Sequence, residues 1–253
     1  MSIIKKSIIK KARKKFLEFQ QADRKAYWLW DQWRWRYFTF RHRKQAKLNV
    51  IFDSEHGIET AAEVPLETMG VPRTDTVRGN TVYRPLTESV FRAAVTAIGV
   101  DVEKYTFVDI GSGKGKVLFM AADLPFKRII GIEYAVGLHE VAIRNVKTYR
   151  SNTQKCNAIE PIHADALEYP LPDGPLVLFI FNALEKATMG RLLQKWDRDA
   201  ALKPDRPVLV IYTNVRTVSE VGNVFSGLQQ LRIVRRMRKF VILANAAGGA
   251  LAG

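Results

Sequence analysis

The run Phe107-Val108-Asp109-Ile110-Gly111-Ser112-Gly113-Lys114-Gly115-Lys116 constrains this chain more than any other stretch. An apolar strand closes on an acid and then places glycine at every second position, as a tight turn that brings backbone close to a ligand requires. Val117 to Ala122 are apolar and form helices well, so the glycines stand at a strand-to-helix junction. A dinucleotide fingerprint wants its third glycine five positions after the first; that position is Lys116, and the third glycine is Gly115.

The same grammar repeats downstream. Arg128-Ile129-Ile130-Gly131-Ile132-Glu133 is a second strand ending in a carboxylate, about 20 positions past the turn, where an acid reaches ribose hydroxyls. Ile159 to Ala166 gives a third strand closing on Asp165, and Leu176 to Phe181 a fourth, apolar throughout, running into Asn182. Helical patterns separate them, one with Leu138, Val141, Ala142 and Val146 on a face, another through Leu192, Leu193 and Trp196. Alternating strands and helices predict a parallel sheet wound on both faces. Asp109, Glu133 and Asp165 then fall at the carboxyl ends of successive strands, where such sheets bind ligands. After a fifth strand at Val208–Tyr212 and a short helix near Val221, Leu231–Arg236 and Phe240–Ala244 are joined by too few residues for a crossover helix and must pair antiparallel.

Residues 1–48 hold 15 of the chain's lysines and arginines against Glu18, Asp23 and Asp31, so most of the net charge of +15 sits there, along with Trp28, Trp30, Trp33 and Trp35. Ile4, Ile8, Ala12, Phe16 and Phe19 recur at helical spacing, which gives a basic amphipathic arm. Such an arm either packs its apolar stripe on the domain or holds nucleic acid or an anionic membrane surface. Residues 49–85 are rich in glycine and proline and read as loops and short turns leading to a helix with Val90, Phe91, Ala94, Val95 and Ile98 on one face, Thr87 at its N-cap and Tyr83 just before it. Cys156 is the only cysteine and the four histidines are scattered, which excludes an internal disulfide, suits a reducing, cytoplasmic setting with peripheral membrane contact left open, and predicts no metal site. No apolar run reaches the roughly 20 residues that span a bilayer. A Ser-His-Asp order and a phosphate-binding Lys-Ser/Thr loop are both missing, which leaves hydrolase and kinase readings without residues.

The Asp-x-Gly-x-Gly-x-Gly spacing with Glu133 and the terminal hairpin resembles the class I S-adenosylmethionine-dependent methyltransferases over residues 83–245, and more weakly their seven-strand protein-lysine members. The resemblance implies an α/β fold with a doubly wound, mostly parallel seven-stranded sheet and a C-terminal antiparallel hairpin, preceded by the arm. It implies S-adenosyl-L-methionine as cofactor, held by Tyr83, Asp109, Gly111, Ser112, Gly113, Gly115, Glu133, Asp165, Ala166 and Asn182, with Glu133 on the ribose, Asp165 near the adenine and Asn182 also acting on the acceptor. The chain departs from the Asn-Pro-Pro-aromatic run of amino-directed nucleic-acid enzymes and from the Asn-Asn-Phe run of histone-lysine enzymes, so the acceptor stays open among protein lysine, which is preferred, RNA and a small molecule. A scaffold that binds polyanions or membranes on this fold, and an NAD-dependent oxidoreductase, are the rivals. The expected organisation is an arm at 1–48, a lead-in with the first helix at 49–104, the cofactor-binding domain at 105–245 and a flexible tail at 246–253.

Overall fold

The computed structural model of the protein divides into two compact units, Met1–Lys47 and Leu48–Gly253, and it describes residues 43–70, 82–181, 184–213 and 224–249. The arm before residue 43, Asn182 and the helix expected near Val221 lie outside the described residues.

The second unit begins in a helix (α1) that runs to residue 56. Two short strands follow, β1 (Val64–Pro65) and β2 (Val82–Tyr83), paired antiparallel. Then come α2 (Glu88–Thr96), β3 (Thr106–Ile110), α3 (Lys116–Ala122), β4 (Arg128–Glu133), α4 (Val136–Thr148), β5 (Ile159–His163), β6 (Leu176–Phe181), α5 (Lys186–Leu202), β7 (Val208–Thr213), β8 (Arg232–Arg236) and β9 (Phe240–Ala244). β3 to β9 form one seven-stranded sheet in the order β5-β4-β3-β6-β7-β9-β8. Its first five strands are parallel, and β9 pairs antiparallel with both β7 and β8. This is the doubly wound topology with a terminal hairpin that the alternation and the resemblance imply. The order reverses between β3 and its neighbours β4 and β6, and that switch point opens a crevice at the strands' carboxyl ends.

Alternate residues of the central strands serve opposite faces, as a pleated sheet requires. Phe107, Ile129, Val177, Phe179, Leu209 and Ile211 face α2 and α3, where Phe91, Leu118 and Phe119 complete the core. Val108, Ile110, Ile130, Leu178, Ile180 and Val210 face α5 through Met189, Leu192, Leu193 and Trp196. β3 and β6 are buried on both faces, which explains the unbroken apolar sequence of β6, while β3 also buries Thr106 and Asp109.

Two local expectations are corrected, and the N-cap expected at Thr87 is found in position but without its side-chain bond. The stretch 49–56, read as loop because of the glycines and prolines after it, is the end of α1. Its residues Asn49 and Phe52 cover the buried Lys116, a tertiary contact that local composition does not carry. Thr87 stands at the N-cap of α2 with extended backbone, yet its hydroxyl makes no capping bond. The tail expected to be flexible starts with a helical turn at Ala246–Gly249. Asn245 builds that turn: its Oδ1 accepts from Val208 and Gly248 N–H, and its Nδ2 donates to the Arg206 carbonyl.

Candidate functional site

One cleft, with about 1000 Å³ of space including its mouth, occupies the switch point. Tyr83, Asp109, Gly111, Ser112, Gly113, Glu133, Asp165 and Ala166, which the sequence analysis singled out, all line it. Gly115 does not. It adopts φ +88° at the N-cap of α3, where an added Cβ would lie 3.2 Å from the Phe119 ring and 3.5 Å from Ala142 Cβ, so it serves the packing of α3 on α4. Asn182 lies outside the described residues, and Phe181 and Leu184 on either side of it in the chain both line the cleft.

The loop is fastened by its own backbone and by Glu133. Gly111 and Ser112 donate their N–H groups to the Ile132 carbonyl, tying the turn to the end of β4. Glu133 Oε2 accepts from Gly113 N–H at 2.7 Å and Oε1 from Ala135 N–H at 2.8 Å, so one carboxylate joins the glycine turn to the entry of α4. Burial raises the Glu133 pKa, and the N–H groups of Ala135, Gly113 and Tyr134 oppose that rise. A carboxylate oxygen has more than one lone pair, so both oxygens keep acceptor capacity toward the cleft. Asp165 divides its acceptors in a similar way: Oδ1 takes the Leu167 N–H at 2.8 Å, which makes it a turn residue, while the side chain still lines the cleft.

Tyr83 closes the cleft over the loop. Its ring lies where a Cβ on Gly113 would fall, at 2.3 Å from Cε2, and its hydroxyl donates to the Thr60 carbonyl at 3.1 Å. Burial raises its pKa well above the ordinary phenol value, and Asp53, Asp109 and Glu133 add to the effect.

Sequence reasoning missed the two lysines inside the loop. Both are buried, against the usual habit of lysine. Lys114 Nζ approaches Glu59 Oε1 at 3.4 Å and lies 5.6 Å from the centre of the Tyr83 ring. Lys116 Nζ donates to Asn49 Oδ1 at 2.6 Å over the Phe52 ring, and burial lowers its pKa to about 8, against the pull of Asp53 and Glu88. Asn145 of α4 completes the brace by donating to the Lys114 and Glu59 carbonyls and accepting from Glu59 N–H. Both ammonium groups thus have partners in the 49–59 segment, although Lys116 also lines the cleft, and no signal in the sequence distinguished them from exposed lysines.

Three acids, Asp109, Glu133 and Asp165, line the cleft, and of the cations in its lining, Arg84 and Lys116, the second has its ammonium bonded to Asn49. Burial raises the Asp109 pKa well above the usual carboxylate range, and the Glu133 charge raises it further. A cationic ligand would favour the ionised form of both acids, whereas a pyrophosphate would meet two carboxylates. Ser112 Oγ, buried and without a hydrogen-bond partner among the described residues, is a further polar atom available in the lining. No group of three or more His, Cys, Asp or Glu among the described residues is placed to hold a metal ion, and no described helix is long and apolar enough to cross a membrane.

The raised Asp109 pKa has a measurable consequence, with its sign fixed by linkage. The free protein's stability contribution from this group is full below the ordinary carboxylate pKa of about 3.9 and is lost as pH rises through the elevated value. A cation in the cleft pulls the pKa back down, so its binding releases a proton and tightens as pH rises through that window. Calorimetry of S-adenosylmethionine binding in buffers of different ionisation enthalpy should register the release, and Asp109→Asn should reduce it to the part that Glu133 contributes. A heat of binding independent of buffer in the parent protein would show that Asp109 does not sense the ligand's charge.

No family model matches the chain, and a search of curated proteins gives no match. Among solved structures it is similar to the mitomycin 7-O-methyltransferase MmcR, with 22% identity over 62% of this chain and 53% of that one and a TM-score of 0.43. The pyocyanin biosynthetic protein PhzM gives 19% identity, 62% and 55% coverage and a TM-score of 0.46. The ribosomal protein L11 methylase from Lactobacillus delbrueckii subsp. bulgaricus gives 17%, 63%, 79% and 0.44. The match spans about half the length of the first two proteins. The fold is carried by the strand order and register described above, not by these likenesses.

Proposed function

We propose that the chain is an S-adenosylmethionine-dependent methyltransferase with a macromolecular acceptor. The observation that carries the reading is the cleft at the switch point, lined by the acids Asp109, Glu133 and Asp165 and by glycine backbone, with Lys114 outside the lining and the ammonium of the lining residue Lys116 held by Asn49. That lining suits a nucleoside whose far end carries an ammonium and a sulfonium, and it suits NAD poorly. Glu133 would take the ribose hydroxyls, Asp165 and Ala166 the adenine, Asp109 the cationic end and Tyr83 the mouth of the cleft.

When bound, the cofactor supplies a methyl group already activated by its sulfonium. The chain's residues then have to align the acceptor, keep water from the reacting atoms and, for an amine acceptor, favour its neutral form against a free pKa of about 10.4. Asn182 is the residue proposed for the acceptor side, because its neighbours Phe181 and Leu184 line the cleft and its amide oxygen can accept a hydrogen bond from an amine. Protein lysine is the acceptor this amide favours. RNA is the second reading, favoured by the charge of the arm.

Radiolabelled methyl transfer into a cell extract, fractionated into protein, RNA, lipid and small molecules, tests the activity and names the acceptor class. Asn182→Ala should lower the transfer rate by about tenfold to a hundredfold, the worth of one hydrogen bond to a charged or reacting group, while cofactor affinity changes little. Equal activity in the variant would remove Asn182 from the reaction. No label in any fraction despite tight cofactor binding would favour the scaffold reading.

A further inference from the structure

We propose that the edge formed by β8 and the turn into β9 is a binding surface for the phosphodiester backbone of a nucleic-acid strand. The proposal goes beyond methyl transfer and stands without it, because the binding is measured with no cofactor present.

The edge carries an unusual charge. Arg232, Arg235, Arg236, Arg238 and Lys239 fall within eight residues, and no acid occurs after Glu220. All five are exposed, and none takes part in an ion pair or a side-chain hydrogen bond among the described residues. Elsewhere in this unit the arginines facing acids are used: Arg84, Arg92, Arg128 and Arg206 each pair with a carboxylate. Charged side chains on an edge prevent aggregation; five of one sign with no counter-charge among the described residues also repel one another and call for a partner that is uniformly anionic.

The register shows where that charge points. A bulge between Ile233 and Arg235 sets Arg235 opposite Ile242 and Arg236 opposite Val241, so consecutive arginines serve opposite faces of the sheet's edge. The turn closes with Met237 N–H on the Phe240 carbonyl, which holds Arg238 and Lys239 at its tip. Across the sheet, Arg236 is in register with Val241, Tyr212 and Ile180. The tip therefore lies at the carboxyl end of the parallel strands, the end where Phe181 lines the cleft. Three strand spacings of about 4.8 Å put β8 roughly 14 Å to the side of β6, within reach of a single bound strand a few nucleotides long.

Four of the five cations are arginine, whose planar fork matches phosphate oxygens in pairs. An acidic peptide would need a run of carboxylates to match this row, while a nucleic acid carries a negative charge on every residue. The exposed apolar side chains among the cations are Val234 and Met237, 46% and 49% accessible, too few and too small for anchoring in a bilayer. They suit contact with sugar and base edges.

The test uses the full chain. Anisotropy of a fluorescent single-stranded RNA, and of the same sequence as DNA, is followed against salt for the parent protein, for R235Q/R236Q/R238Q, and for R144Q/K147Q/R198Q, which neutralises three exposed cations on α4 and α5. The edge variant should bind at least about tenfold more weakly at 0.1 M salt, with a salt slope lower by about 2, since each single-strand phosphate contact contributes about 0.7. The control variant should stay within about threefold of the parent. Equal affinity and slope in the edge variant and the control would overturn the proposal. So would an edge variant that loses only binding to poly-glutamate or to phosphatidylglycerol vesicles while RNA and DNA binding hold, which would identify an acidic protein or a membrane instead. Thermal melting checks that the variant folds. Should it not, crosslinking of 4-thiouridine RNA to the parent protein decides: adducts on residues 231–240 are expected, and adducts confined to residues 1–42 would assign nucleic-acid binding to the arm alone.

Discussion

Gly113→Ala should abolish measurable cofactor binding and lower the stability of the domain by about 2 to 5 kcal/mol. Two costs combine. Gly113 holds φ +56°, where a side chain is strained by roughly 1 to 2 kcal/mol. The new Cβ would also stand 2.3 and 2.7 Å from two atoms of the Tyr83 ring, well inside contact distance, and overpacking of this kind costs about 1 to 3 kcal/mol. The ring cannot retreat freely, because its hydroxyl is bonded to Thr60 and Lys114 lies over its face. Tyr83→Ala separates the terms. In that background Gly113→Ala should cost only the backbone strain, and the difference between the two measurements, by thermal or urea unfolding, is the coupling between ring and loop. An identical cost in both backgrounds would show that the ring does not rest on the glycine. Gly115→Ala makes a useful contrast: it should destabilise α3 against α4 through Phe119 and the φ of +88°, but it leaves the cleft lining intact.

The parts of this fold that were legible in the sequence are those in which one residue type has one physical reason to be present. The apolar runs of β3, β4, β6 and β7 have to be buried on both faces, and they are. The spacing between β8 and β9 leaves room for nothing but a turn, and they pair antiparallel. Acids at the ends of β3, β4 and after β5 converge on one cleft because parallel strands all deliver their carboxyl ends to the same side. What stayed hidden depends on tertiary partners distant in sequence. Lys114 and Lys116 read as loop charges, and only the arrival of Asn49, Phe52 and Glu59 from α1 and the segment after it accounts for their burial. Those partners lie in a stretch whose glycines and prolines suggested a passive lead-in. Asn145 likewise reads as one polar residue on an apolar helix face, yet it is the joint that holds the 59 and 114 backbones together. Gly115 carries a second demand that the motif does not announce, because a Cβ there would press on the Phe119 ring and approach Ala142.

Glu133→Ala should weaken S-adenosylmethionine binding by at least about a hundredfold, more than the loss of ribose contacts alone. A hydrogen bond to a charged group is worth about 1.5 to 3 kcal/mol, and each 1.4 kcal/mol is tenfold in affinity. Glu133 also holds Gly113 and Ala135 by their N–H groups, so its removal leaves the turn and the entry to α4 with unpaired buried donors. Glu133→Gln isolates the charge from the scaffold. It keeps one acceptor oxygen, so the loop should hold partly and the affinity should fall between parent and alanine variant. The glutamine variant carries a second readout that a purely structural role would not move. The Glu133 charge is one of the causes that raise the Asp109 pKa, so its neutralisation lets Asp109 ionise at lower pH. The rise of cofactor affinity with pH should then shift to lower pH in Glu133→Gln, while Asp109→Asn should reduce the rise in the parent background and remove it in Glu133→Gln. Affinity unchanged in Glu133→Ala, or NAD bound more tightly than S-adenosylmethionine by the parent protein, would sink the cofactor assignment. A weakened cofactor with an unmoved pH profile would keep the ribose contact and deny the coupling of the two acids.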